Sequence, residues 1–118
     1  MTRIGNVLYP VKDVAAAAAF YRDALGLAVK FQDGDRYAAL DGGGTAFAIA
    51  GPEEDVTGGV PAVSFKVDDV AALIGPLTAA GAEVVRAPEE GPHEVRAALR
   101  DPAGNVFVLY ASREQSRK

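Results

Sequence analysis

The stretch Ala97-Ala-Leu-Arg-Asp-Pro-Ala-Gly-Asn-Val-Phe-Val-Leu-Tyr110 decides the fold, because Tyr37-Ala-Ala-Leu-Asp-Gly-Gly-Gly-Thr-Ala-Phe-Ala-Ile-Ala50 nearly repeats it. In the later copy Asp101-Pro102-Ala103-Gly104-Asn105 is a turn with a mechanism: Pro sets φ, Gly and Asn tolerate positive φ, and Asp caps its own backbone. The flanks alternate or run apolar at strand length, so each copy reads as strand, turn, strand. Ala38-Ala39-Leu40 falls over Ala97-Ala98-Leu99, and Phe47-Ala48-Ile49 over Phe107-Val108-Leu109. The chain reads as a duplication.

Outward from these hairpins the repeat continues. Residues 4–9 form a short strand, Asp13 is a helix N-cap, residues 14–25 are an Ala-rich amphipathic helix, and Gly26 suits its C′ position. A strand over 27–31, a turn at Asp33-Gly34 and the hairpin of 36–50 complete the first unit. The second unit restarts with a strand over 63–67, the N-cap Asp69, a helix over 70–80, Gly81 at C′, a strand over 83–86 and the hairpin of 94–111. Val7, Tyr9, Val11, Asp13 and Val14 fall over Val63, Phe65, Val67, Asp69 and Val70 at a constant offset of 56. Gly75-Pro76 predicts a kink or an early restart in the second helix. Tyr9 and Phe65, matched across the repeat, are expected in the core.

The reading is an α+β fold in one domain spanning 1–118: a β-α-β-β-β module over 1–51, a Gly-, Pro- and acid-rich linker over 52–61, a second module over 62–111 and a polar tail over 112–118. At 118 residues the chain buries roughly two-thirds of its unfolded surface, enough for one core. Sixteen acidic and twelve basic residues give a net charge of −4, with no Lys/Arg cluster before the tail, which disfavours nucleic acid as a partner. No signal-peptide core or membrane-length apolar run is present, so a soluble, cytoplasmic protein without membrane partners is expected. The absence of cysteine excludes disulfides, thiolate metal sites and a Cys nucleophile.

Residues 4–13, the stretch Phe20-Tyr21-Arg22-Asp23 running into Leu25-Gly26, residues 63–69 and Arg100-Asp-Pro-Ala-Gly-Asn105 resemble the vicinal oxygen chelate superfamily of glyoxalases, bleomycin-resistance proteins and extradiol dioxygenases. The resemblance implies two tandem βαβββ modules forming an incomplete barrel around a ligand cavity, often within a dimer. It also implies a divalent metal held by one His or Glu from the first and last strand of each module. Carried over residue by residue, those positions fall on Asn6, Ala62, Ala48 and Val108. Ala and Val offer no ligand atom and Asn is a poor one, so neither a metal nor another cofactor is expected.

Strand parity still describes a cavity. If Val7, Tyr9 and Val11 face the helix, then Asn6 and Leu8, with Ala46, Ala48 and Ala50, Ala62, Ser64 and Lys66, and Val106, Val108 and Tyr110, face the other way. Tyr37 and Arg96 stand within reach. This set is apolar with a few polar groups and holds no carboxylate, which suits a bulky organic ligand bound by Asn6, Leu8, Tyr37, Ala48, Ala62, Ser64, Lys66, Arg96, Val108 and Tyr110. Hydrogen bonds are expected from Asn6 and Ser64, stacking from Tyr37 or Tyr110, and charge pairing from Arg96 or Lys66. The ligand's charge stays open, since net acidity favours a cation whereas Lys66 and Arg96 favour an anion.

These expectations favour a metal-independent small-molecule-binding protein similar to the bleomycin-resistance branch, with no catalytic residue assigned. The alternative is a glyoxalase-type lyase, isomerase or dioxygenase, with a divalent metal held elsewhere or metal-free chemistry driven by Lys66. A scaffold module without a ligand is a third reading. Pro10 and the long linker suit a homodimer in which modules pair between chains or the first strand is exchanged. His93, the single histidine, is placed in a rim loop, Gly42-Gly43-Gly44 and Asp33-Gly34-Asp35 are turns, and Glu53-Glu54-Asp55 and Glu89-Glu90 are solvated loop charge.

Overall fold

The protein's structure, a computed structural model, describes residues 1–113. Most of the expected polar tail, residues 114–118, lies outside that range. Strand β1 (Arg3–Pro10) runs through Pro10 to Asp13, whose carboxylate accepts the Ala16 N–H at 2.9 Å and opens helix α1 (Val14–Leu25). A second acceptor, Asp35 of the following turn, takes the N–H groups of Val14 at 2.9 Å and Ala15 at 3.3 Å. Gly26 closes α1 at φ 77°, with the N–H of Gly26 bonded to the Arg22 carbonyl and that of Leu27 to the Tyr21 carbonyl. Strands β2 (Val29–Asp33), β3 (Tyr37–Asp41) and β4 (Ala46–Ala50) complete the first unit. β2 lies two residues later than expected because Leu27 folds into the core beneath α1.

The second unit repeats the order with β5 (Ala62–Lys66), α2 (Val70–Ala79), β6 (Glu83–Glu90), β7 (Glu94–Arg100) and β8 (Val106–Ser112). α2 runs through Pro76 without the restart that the sequence allowed as an alternative to a kink. The Thr78 hydroxyl, near the carbonyls of Ile74 (2.9 Å) and Gly75 (3.0 Å), supplies a donor to the turn around the imino residue. β6 is twice the predicted length, so Glu89 and Glu90 belong to an edge strand rather than a loop. Ion pairs from Arg100 to Glu83 and from Arg113 to Glu90 tie that exposed edge down.

All eight strands form one sheet in the order β2-β3-β4-β1-β5-β8-β7-β6, which is not closed. Each module is an antiparallel three-stranded meander flanked by its own first strand, parallel to β4 in one half and to β8 in the other. The antiparallel β1–β5 pair joins the halves. Both edges of β1 are therefore occupied by its own chain.

The two faces of the sheet have different company. On one, α1 covers Ala38, Leu40 and Ile49, while α2 covers Ala97, Leu99 and Leu109. Leu40, Ile49 and Leu99 are fully buried, each contributing roughly 2–3 kcal/mol of transfer free energy. The other face carries Leu8, Ala48, Ala50, Val56, Ala62 and Val108, a packed apolar layer to which neither helix contributes. Phe65 joins the α2 core as expected. Tyr9 does not become a core residue: it packs edge-on against Tyr21 of α1 and Phe47 of β4 but remains 38% exposed. No helix among the described residues is long and apolar enough to cross a membrane.

Candidate functional site

The helix-free face of the sheet bends around a cavity of about 650 Å³. Its floor is apolar because the register aligns small side chains from the central strands: Leu8 lies opposite Ala48 on β4 and Ala62 on β5, and Ser64 opposite Val108. A bulge between Ile4 and Asn6 turns Gly5 inward as well. A Cβ at Gly5 would sit 1.8 Å from the Tyr110 hydroxyl, so the missing side chain provides the space the phenol occupies.

Seven of the ten residues expected from sequence line this cavity: Asn6, Leu8, Tyr37, Ser64, Arg96, Val108 and Tyr110. Ala48 and Ala62 lie just behind the lining, 0% and 6% exposed, in the packed layer. Lys66 is paired with Tyr110 in register but stands beyond the lining, one strand repeat past Ser64. His93 is exposed and sits on the rim with Gly91 and Pro92, as expected.

The expectation of a cavity without carboxylates is overturned, because Asp33, Glu54 and Glu94 all line it. Glu94 precedes Arg96 by two residues on β7, so strand parity alone puts both on one face. Glu54 comes from the linker, which is not solvated at that point. Its carboxylate takes Arg36 at 2.7 Å and Arg96 at 3.5 Å, and its carbonyl accepts a hydrogen bond from Arg96 at 3.1 Å. Arg36 belongs to the first module and Arg96 to the second, so Glu54 links the two halves across one end of the cavity. The next residue, Asp55, holds the linker's shape by accepting from the N–H of Thr57, the Thr57 hydroxyl and the N–H of Gly59.

Burial shifts the ionisation of three groups. Tyr37 is pushed up to about 12, first by desolvation and then by the charge of Glu94. Desolvation also raises Tyr110, with Glu94 adding to the effect and Arg3 and a hydrogen bond with Asn6 opposing it. Glu94 itself is raised by burial, against the pull of Arg96, whose Nε lies 3.7 Å away. Two phenols and one desolvated carboxylate thus share a cavity, an arrangement able to bind donors or to accept a proton.

The four positions at which the family resemblance implies a metal present one amide and three aliphatic side chains. Among the described residues no three His, Cys, Asp or Glu side chains gather to hold a metal ion. Asn6 Oδ1 is buried without a hydrogen-bond partner, yet a single amide oxygen beside Ala48, Ala62 and Val108 does not fit a divalent ion.

The sequence model of the Glyoxalase/Bleomycin resistance protein/Dioxygenase superfamily matches residues 3–109. The chain belongs to this superfamily. An uncharacterized protein of Mycolicibacterium smegmatis (strain ATCC 700084 / mc(2)155) is 34% identical over 105 residues, covering 89% of this chain and 90% of that one. Among solved structures, a superfamily member from Vibrio splendidus 12B01 is 19% identical with a TM-score of 0.71, over 94% of this chain and 99% of its own. A methylmalonyl-CoA epimerase from Streptomyces coelicolor is 23% identical with a TM-score of 0.68, over 96% and 99% of the two chains. These structural likenesses concern the fold, an α+β arrangement with an open eight-stranded sheet and two helices.

Proposed function

We propose that this superfamily member is a metal-independent small-molecule-binding protein of the bleomycin-resistance type, which sequesters a bulky or aromatic ligand in the cavity beneath β1 and β5. One observation carries the reading: a cavity of drug-ligand size survives where Asn6, Ala48, Ala62 and Val108 replace the residues that would hold a metal. Phe31, Tyr37 and Tyr110 supply aromatic surface, and Asn6 and Ser64 supply polar groups to orient a guest. The working form is a cytoplasmic homodimer.

A second reading is supported by Glu94. A carboxylate raised by burial beside two phenols is suited to proton transfer, the kind of step an isomerase or lyase requires, and methylmalonyl-CoA epimerases are among the similar structures.

Thermal unfolding of metal-stripped protein tests the metal-independent binding reading. A ligand at 100 times its dissociation constant adds about 2.7 kcal/mol, which at this size raises the midpoint by roughly 10 °C. Aromatic antibiotics, bleomycin included, are expected to produce such a shift, and Mn²⁺, Fe²⁺, Ni²⁺ and Zn²⁺ none. A metal shift of that size would refute the metal-independent reading and put the enzyme first.

A further inference from the structure

Sequence alone leaves the sign of the ligand's charge open, and the structure bears on it through the partners of each charged side chain. Both guanidiniums in the cavity are committed to the protein's own carboxylates: Arg36 to Glu54 at 2.7 Å and Glu53 at 3.6 Å, Arg96 to Glu54 at 3.5 Å and Glu94 at 3.7 Å. Arg96 also donates to the Glu54 carbonyl. An anionic guest would have to displace these contacts, and Lys66 stands outside the lining. The three carboxylates of the lining, Asp33, Glu54 and Glu94, against its two guanidiniums, Arg36 and Arg96, leave one negative charge.

Of these carboxylates, Glu94 is the one whose charge acts on both Tyr37 and Tyr110. Among the described residues it has one long ion pair, to Arg96 at 3.7 Å, its carboxylate accepts no hydrogen bond, and its side chain is 40% exposed. Arg96, His93 and Lys66 act on it as cations and Glu54 as an anion. A half-buried carboxylate whose one ion pair is long has oxygen lone pairs left to accept a charge-assisted contact from a guest. Tyr37 and Tyr110 lie close enough for their ionisation to respond to Glu94, and the faces of such rings attract cations.

We infer that the ligand of this cavity is a flat aromatic cation, its ring system against Tyr37 and Tyr110 and its positive charge against Glu94. The inference rests on the binding reading above and specifies the class of molecule bound.

Three probes with one ring system and different charge test it at pH 8: N-methylacridinium, a permanent cation; acridine, neutral at that pH; and acridine-9-carboxylate, an anion. Calorimetric titration is expected to rank them cation, neutral, anion, with at least about a tenfold preference for the cation over the neutral probe, as one charge-assisted contact supplies. Glu94→Gln keeps the shape and removes the charge, so it is expected to bring the cation-to-neutral affinity ratio down to about one. A preference for the carboxylate, or a cation preference that survives Glu94→Gln, overturns the assignment of charge and leaves the binding reading standing. No binding of any probe overturns the binding reading, and this inference with it. Should Glu94→Gln not fold, the ranking on the unaltered protein decides alone.

Discussion

Replacing Arg96 by Met preserves most of the side chain's volume and removes its charge. Arg96 is 26% exposed, so solvent replaces its contacts only in part. Two losses follow. The Glu54 carbonyl loses the donor now 3.1 Å away, while the Glu54 carboxylate keeps Arg36 at 2.7 Å. Glu94, half-buried with its side chain 40% exposed, loses the only positive charge that forms an ion pair with it among the described residues. A hydrogen bond from a charged donor is worth about 1.5–3 kcal/mol, so the variant should be destabilised by about 2 kcal/mol at pH 7. With a typical urea dependence that lowers the unfolding midpoint by about 1 M at unchanged slope. The effect should depend on pH in a set direction. Glu94 is raised in the folded state, so that state binds the proton more readily than the unfolded chain and loses stability as pH rises through the folded value. Without Arg96 the folded value rises further, which enlarges the deficit at pH 7 and shrinks it below about pH 5. Urea unfolding at pH 7 and pH 4.5 measures both. Equal destabilisation at the two pH values, or none at either, would refute the argument that Arg96 neutralises a desolvated carboxylate.

The alkaline limb of stability should carry the signature of Tyr37. Its folded value of about 12 exceeds that of a free phenol, so its contribution is complete below about pH 10 and fades as pH rises towards 12. Tyr37→Phe should remove the highest step from the native phenolate absorbance titration. Asp35→Ala deprives the first turn of α1 of an acceptor for the Val14 and Ala15 N–H groups while Asp13 remains, and should cost about 1 kcal/mol in thermal unfolding. Gly51→Ala places a Cβ 2.8 Å from the Asp35 carbonyl oxygen and 3.3 Å from that of Arg36, contacts that move only with the backbone. Its expected cost is about 2 kcal/mol in chemical unfolding, whereas Gly43→Ala, with open space around it, should show only the strain of its positive φ.

The fold was legible because the same local chemistry occurs twice. Asp13 and Asp69 cap, Gly26 and Gly81 terminate, and the paired hairpins set the strand order of both halves. Parity then put Asn6, Leu8, Ser64, Val108 and Tyr110 on the cavity face, since period-two alternation needs no knowledge of tertiary structure. It fixes a face and not a depth, and so it included Lys66, which shares the face but lies past the end of the cavity, and Ala48 and Ala62, which lie behind it. Glu94 was within reach of the same rule, two residues from Arg96. Glu54 was not, because a linker has no period, and only the meeting of Arg36 with Arg96 shows where its carboxylate goes.

The position of β1 bears on how the chain is made. It is made before the other strands of the sheet, yet Asn6 waits 40 residues for Ala46, and Ile4 waits 61 for Phe65. During synthesis the hairpins of the first half can close locally while one flank of β1 stays bare until β5 arrives. An unpaired apolar strand is a template for wrong partners, so the yield of correctly folded protein should depend on how quickly translation passes the Gly- and Pro-rich linker. The strand at the centre of the finished sheet is thus the one longest exposed while the protein is being made.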